Sequence, residues 1–461
     1  MRYEQELLSN MSFVPFGDLL LEPLRNGLTK PKAVRGDGVK MIGMGEIFAN
    51  SRIGAISMSR VPVTEKELSN NCIKKGDILF ARQSLALEGA GRCSIVIDVT
   101  EETVFESHLI RARIDSSKAN PYFVYYYFNS YIGKEHIKTI VEQVAAAGIR
   151  GSDLVRLKVP CPDLETQNRI AAIFSALDEK IAINRAINEN LQQQARSLYK
   201  SWFVDFEPFG KQMPDLWEIG KLKDVLCLRK EVLKAGERTD LRYLPIDTIP
   251  MNTFALTATR PNEEAQSSLL AFHRDDIIIG AMRVYFHRVI IAPFNGITRS
   301  TCFVLTPKDL NYLAFGLLCC DQDKSIDYAQ QSSKGSTMPY AVWDGGLGEL
   351  EIAIPPQDIA SEFNAIIMPM IREIQKSYYE TGTVCLRKRG AEVVGSHSRI
   401  LPAFQCRRYE AWSGSASADA VFRYAPFECS VAHAVVFAEC CRLLCYVQSA
   451  HAEAERILSR L

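Results

Sequence analysis

IAAIFSALDEKIAINRAINENLQQQARSLYKSW, residues 170–202, decides how the rest of this 461-residue chain is read. Within it Ile170, Phe174, Leu177, Ile181, Asn184, Asn188, Leu191, Ala195, Leu198 and Trp202 recur at spacings that alternate between four and three. That is a heptad, and it predicts a coiled-coil helix with one seam-forming face. At 1.5 Å per residue the helix extends roughly 50 Å, more than a small domain needs to cover its core. Its natural job is to separate two bodies at a fixed distance. Asn184 and Asn188 suit a spacer, because polar residues in a seam cost stability while fixing register and orientation. A long amphipathic helix lying on a single large domain is the alternative that periodicity leaves open.

On either side of the seam the chain repeats one plan. Lys74-Lys75-Gly76-Asp77-Ile78-Leu79-Phe80 is a turn followed by an apolar strand, then Arg82-Gln83-Ser84 and the glycine-rich Gly89-Ala90-Gly91-Arg92. The second half answers with His273-Arg274-Asp275-Asp276-Ile277-Ile278-Ile279, then Gly280, Arg283 and Asn295-Gly296. Both runs are short, rich in β-branched residues and bounded by turn residues. An aromatic helical segment follows, Pro121 to Tyr131 in one half and Asn311 to Leu318 in the other. Gly148-Ile149-Arg150 then answers Gly335-Ser336-Thr337-Met338-Pro339, and each half closes on a strand ending at proline, Pro160 and Pro355, before a helix begins. Similar features in the same order, about 195 residues apart, indicate a duplicated domain rather than a solenoid.

Composition limits the alternatives. The chain is long enough for two or three cores, and 47% hydrophobic with 23% charged residues is ordinary for a globular protein. Lys plus Arg and Asp plus Glu both number 54, which argues against a tail-driven polyanion binder but leaves room for local basic faces. The start, Met1-Arg2-Tyr3-Glu4-Gln5-Glu6, lacks the apolar core of a secretory signal, and no window is long and apolar enough for a membrane span. A cytoplasmic protein with free thiols is expected, its 13 cysteines showing no disulfide framework.

Past Thr383 the character changes. Residues 384–461 hold one lysine, Lys388, against nine arginines, and six of the 13 cysteines. Heptad spacing stops there too, so this tail is expected to derive from a shifted reading frame. His433, Cys440, Cys441, Cys445 and His451 are the available metal ligands, but they lack paired Cys-x-x-Cys knuckles, and no metal site is expected.

The organisation resembles the specificity subunit of a type I restriction-modification enzyme. The junction Pro160-Cys161-Pro162-Asp163-Leu164-Glu165-Thr166-Gln167-Asn168-Arg169-Ile170-Ala171 is similar to the proline-rich start of that family's spacer. Leu177-Asp178-Glu179-Lys180-Ile181, followed by Asn184, Asn188 and Leu191, resembles the spacer itself, and Pro355-Pro356-Gln357 keeps the second junction. The resemblance covers about residues 10–383 and implies an α/β (α+β) fold with two similar target-recognition domains, separated by long antiparallel coiled-coil spacer helices. Its layout here is recognition domain 1 over residues 1–160, central spacer 161–210, recognition domain 2 over 211–354, the start of a second spacer at 355–383, and the atypical tail at 384–461. It also implies that each domain reads half of a split double-stranded DNA site. Methyltransferase subunits would clasp the helices and bring S-adenosylmethionine chemistry. Restriction subunits would add translocation and cleavage driven by ATP with Mg. This chain would be a reader with no cofactor and no catalytic residue.

Missing motifs agree with a binding role. There is no phosphate loop, no Asn-Pro-Pro or Asp-Pro-Pro motif of an amino-methyltransferase, no Gly-x-Ser-x-Gly and no His-Glu-x-x-His. A nuclease or methyltransferase built on Asp276, Glu349 and Glu351 is one rival. A scaffold that ignores DNA is another, and a subunit inactivated by its broken second spacer is a third.

A DNA reader needs phosphate contacts for affinity and side-chain forks for base edges. Arg25, Lys30, Lys32, Arg35, Lys40, Arg52 and Arg60 crowd one span that holds only Asp37 and Glu46 as acids, and its glycines suit an exposed loop. Arg82, Gln83 and Ser84 follow a strand directly and offer major-groove chemistry, arginine to guanine and glutamine to adenine. Arg92 and Arg150, both beside glycines, are expected at the same groove. In the second half Arg283, Tyr285, His287 and Arg288 are expected in an extended run, the first three on one strand face and Arg288 on the other. Arg299, Lys334 and Thr337 complete the candidates, while Tyr125, Tyr126 and Tyr127 are expected to pack in the core.

Overall fold

The structure, a computed structural model, describes residues 12–143, 147–256, 258–335 and 337–393. Of these, the residues up to Leu177 fall in one compact unit and those from Asp178 to Leu386 in a second.

In the first unit the elements that position the candidate residues are β1 (Phe13–Pro15), β2 (Arg25–Asn26), β3 (Ile78–Ala81), β4 (Gln83–Ser84), β5 (Cys93–Val96) and β6 (Leu109–Ala112). They are followed by α1 (Pro121–Asn129), α2 (Tyr131–Lys138), β7 (Glu142–Gln143), β8 (Ala147–Gly148), β9 (Lys158–Pro160) and α3 (Leu164–Phe203). A five-stranded sheet runs in the order β2, β6, β3, β5 and Arg52–Ile53. All four residues of β3 are buried, which explains why the run is continuously apolar instead of alternating. Helix α1 opens with Pro121 at its first position, and the Asn120 carboxamide accepts hydrogen bonds from the Tyr122 and Phe123 amides, satisfying two otherwise orphaned donors. Tyr125, Tyr126 and Tyr127 are buried, as expected.

The second unit repeats the plan with β10 (Glu218–Lys221), β11 (Leu226–Leu228), β12 (Ile277–Gly280), β13 (Val289–Ile291), β14 (Cys302–Pro307), α4 (Leu313–Cys320), α5 (Asp323–Gln331), β15 (Glu351–Ile354) and α6 (Gln357–Val393). Its sheet order, β11, β14, β12, β13, matches β2, β6, β3, β5. Three further pairs coincide: β1 with β9 and β10 with β15 are antiparallel, two helices follow the third central strand in each unit, and a long helix follows each closing proline strand. Even the turn before the central strand is copied. Asp77 accepts the Lys74 amide at 2.7 Å and grips Arg113 with both oxygens; Asp276 accepts the His273 amide at 2.7 Å and grips Arg229 likewise. One expected match is corrected. Asn295-Gly296 does not correspond to Gly89–Arg92, because it enters Gly296–Arg299, which pairs in parallel with Arg242–Tyr243 as Thr103–Phe105 does with Val39–Ile42.

Helix α3 runs unbroken for 40 residues. Within the second unit it packs antiparallel on α6: Asn188 donates to the Ser377 hydroxyl at 2.6 Å, and fifteen positions on, Phe203 stacks edge-on against Phe363 at 4.7 Å. The buried row departs from the predicted seam after Asn188. Asn184, Asn188, Gln192, Ala195, Tyr199 and Phe203 are buried, whereas Leu191, Leu198 and Trp202 pack at its flank. The reason is that this part of α3 faces the α/β body as well as α6, so its contacts follow the 3.6-residue turn of a straight helix and not a strict heptad. Helix α6 continues past Thr383 to Val393 and contains Pro369, whose missing amide leaves the Ala365 carbonyl without its helical donor. His433, Cys440, Cys441, Cys445 and His451, the candidate ligands of the tail, lie outside the described residues. Among those described, no helix is long and apolar enough to cross a membrane.

Candidate nucleic-acid interface

In the first unit the chain leaves the buried strand β3 at Arg82 and forms β4, which pairs with β8, itself paired with β7. Arg82 is pinned by its backbone, its amide donating to the His108 carbonyl at 2.8 Å and its carbonyl accepting from the Ile149 amide at 2.9 Å. This ladder brings Arg82-Gln83 beside Gly148-Ile149-Arg150, segments more than 60 residues apart in sequence. Together with Leu24, Asn26, Ile110 and Ser152 they line an open cleft of about 750 Å³. The Gln83 carboxamide oxygen lies 3.2 Å from His108 Nδ1, and Arg150 forms an exposed ion pair with Glu142 at 2.6 Å. Such a pair contributes little to stability, so Arg150 can exchange it for an external anion at small cost.

Ser84 and Arg92 lie elsewhere. The Ser84 hydroxyl accepts from the Ala86 amide and faces its own loop, while the Arg92 guanidinium lies over the Phe48 ring at 5.3 Å. Neither lines the cleft with Arg82.

The basic span from Arg25 to Arg60 is not one open loop. Lys30 pairs with Glu67 at 2.9 Å, Lys40 with Glu101 at 2.8 Å, Arg60 with Glu101 at 2.7 Å and Arg35 with Glu106 at 3.8 Å. The Lys40 and Arg60 side chains hold the Glu101 carboxyl below its ordinary range. Arg52 is half-buried on its short edge strand. Arg25, on β2 opposite Arg111, and Lys32 remain exposed. The acids that neutralise this span come from outside it, which is why a local charge count overstated its field.

In the second unit the expected extended run is corrected. Val284–Phe286 is a turn of 3-10 helix, with Arg283 and His287 in the left-handed region at φ 52° and 49°, so no strand alternation exists to sort their side chains. Arg288 turns inward, donating to the Ile246 and Ile249 carbonyls. His287 is half-buried against Asp321 at 3.1 Å, and that hydrogen bond raises its pKa. Arg283 and Tyr285 stay exposed. The Arg283 amide donates to the Pro339 carbonyl, Lys334 and Tyr340 exchange backbone bonds, and the Tyr340 hydroxyl reaches the Ser300 carbonyl beside Arg299. These bonds gather the segments carrying the exposed Arg283, Arg299, Lys334 and Thr337 along one edge.

Residues 14–193 match the type I restriction modification DNA specificity domain. That segment of the chain is similar to this domain. The MjaIX type I restriction enzyme specificity subunit of Methanocaldococcus jannaschii is 26% identical over 279 residues, 55% of this chain and 62% of that protein. The HindI specificity subunit of Haemophilus influenzae is 33% identical over 200 residues, 43% of this chain and 40% of that protein. The chain thus spans less than two thirds of the length of these curated relatives. A crystal structure of a type I restriction-modification S subunit from M. genitalium aligns over 83% of this chain and 94% of that one, with a TM-score of 0.55 at 14% identity, which establishes a shared fold.

Within the matched segment, sequence reading missed Asn26, His108, Glu142 and Ser152. Only Asn26, next to Gly27, had any local signal, the residue type that forks onto adenine. The carboxylates of the enzyme rival are engaged in the fold: Asp276 by Arg229, and Glu349 by Lys221 and Lys223, which draw its pKa down to about 2. Glu351 sits on β15 in register with Lys221.

Proposed function

We propose that this chain is the DNA-reading subunit of a type I restriction-modification enzyme, each unit contacting one half of a split double-stranded site. The observation that carries this reading is the copied connection after the central strand. In both units that strand is buried and delivers an exposed arginine, Arg82 or Arg283, to a place where a second, distant loop is hydrogen-bonded against it. A fixed backbone with exposed guanidinium tips suits base-edge recognition. The long helices set the gap between half-sites, and methyltransferase and restriction subunits dock on the chain in the cytoplasm, bringing S-adenosylmethionine, ATP and Mg with them.

The test is selection from a random duplex library by the purified full chain at moderate salt. Two fixed half-sites separated by a fixed number of unspecified bases are expected. Enrichment of a single continuous site, or of none, refutes the bipartite reading. Methyl transfer or cleavage by the chain alone, given magnesium and S-adenosylmethionine, would instead favour an enzyme.

A further inference from the structure

We propose that Leu85 is a specificity-determining residue that reads the 5-methyl group of a thymine in the first half-site. The inference rests on the DNA-reading role of the first unit. Leu85 follows β4 directly, two residues beyond Gln83 of the cleft, and its side chain is 100% exposed. A protein surface leaves single apolar side chains outside often enough, but this one is held outward by a closely packed loop. The Ser84 hydroxyl accepts from the Ala86 amide at 3.2 Å, the Gly89 amide donates to the Ala86 carbonyl at 3.1 Å, and the Gly91 amide returns to the Ala81 carbonyl at 2.8 Å. Two glycines make this closure possible. A Cβ on Gly89 would stand 2.1 Å from Ser84 Oγ, and Gly91, at φ +76°, would place one 2.2 Å from Ile137 Cγ2. The loop therefore presents Leu85 on a fixed base instead of letting it fold back.

The second unit has a counterpart. The equivalent connection, between β12 and β13, carries Tyr285 at 46% exposure two residues beyond Arg283. Each unit thus pairs an exposed arginine with an exposed large apolar residue in one short connection. Beside polar side chains that suit guanine and adenine edges, an aliphatic residue complements the one apolar feature of the major groove, the thymine methyl.

The full chain and its Leu85→Ala variant would each select from the same random duplex library, with far-UV circular dichroism confirming that the exposed change leaves the fold intact. The wild type is expected to fix a thymine in one half-site, and the variant to lose that preference while keeping the other positions. Replacing this thymine by uracil, which removes only the methyl, should weaken wild-type binding about three- to fivefold and leave the variant unchanged. An identical site selected by both chains, a half-site without a fixed thymine, equal uracil effects on both, or a uniform loss across all sequences would each overturn the thymine role while leaving DNA reading in place. No enrichment by the wild type would overturn the reading itself, and this proposal with it.

Discussion

Arg82 directly after its strand and Arg283 three residues beyond its own stand exposed next to strands whose residues are buried, so truncating either leaves the core alone and tests recognition directly. Each alanine variant is predicted to relax specificity at one base pair at a cost of about 1 to 3 kcal/mol, read by equilibrium binding to single-base variants of the selected site. Equal weakening on every duplex would reduce the residue to a phosphate contact. Asp276 is the opposite kind of residue, 2% exposed and holding Arg229 bidentately. Asp276→Ala strands that guanidinium and is predicted to cost about 3 kcal/mol in urea unfolding, the low end for a broken buried pair, because Arg229 retains some contact with water. His287 gives a pH test. Its folded pKa is raised by the bond to Asp321, so its stabilisation is complete below its unfolded value of about 6.5 and is lost as pH rises through the folded value. The urea midpoint should fall across that window, and His287→Asn should flatten the fall.

At the scale of elements, two neighbouring amides on α3 make opposite predictions. The Gln192 side-chain oxygen accepts from the buried Phe254 amide at 2.7 Å, so Gln192→Leu orphans a donor and is expected to destabilise by about 1 to 3 kcal/mol. The Asn188 side-chain oxygen is buried with no hydrogen-bond partner among the described residues. Asn188→Leu removes that orphaned oxygen together with the donor to Ser377, whose hydroxyl keeps its bond to the Ile374 carbonyl, so it should be near neutral in thermal unfolding while weakening the register that polar seam residues enforce; a loss as large as that at Gln192 would contradict this. The helix itself was legible because 3.5- and 3.6-residue patterns look alike over short stretches. Which side of it faces the body was not, since Tyr199 and Phe203 are buried by residues such as Phe315 and Phe363 more than 100 positions away. The turn at Val284–Phe286 was unreadable for a different reason: its left-handed flanks are Arg283 and His287, of which the arginine carries no signal for that conformation and the histidine only a weak one.

For the whole molecule, binding should fall with salt at a log-log slope near −5 if about six phosphates are neutralised; with Lys30, Lys40 and Arg60 already paired to Glu67 and Glu101, a shallower slope would mean those pairs persist on DNA. Inserting one heptad after Leu177, ahead of the stretch where α3 packs on α6, should change the tolerated gap between half-sites and leave each half-site sequence alone. An unchanged gap in library selection would refute the spacer role. What the sequence by itself determined was the duplicated plan and the long helix, because strand runs, turn residues and helical periodicity are local properties that survive being read one residue at a time. Tertiary structure alone decided which charges stay available and which neighbours share a cleft. Arg82 meets Arg150 through a ladder closed across more than 60 residues, and Lys40 loses its freedom to Glu101 on another strand connection, since ion pairing and hydrogen bonding depend on distance in space and not along the chain.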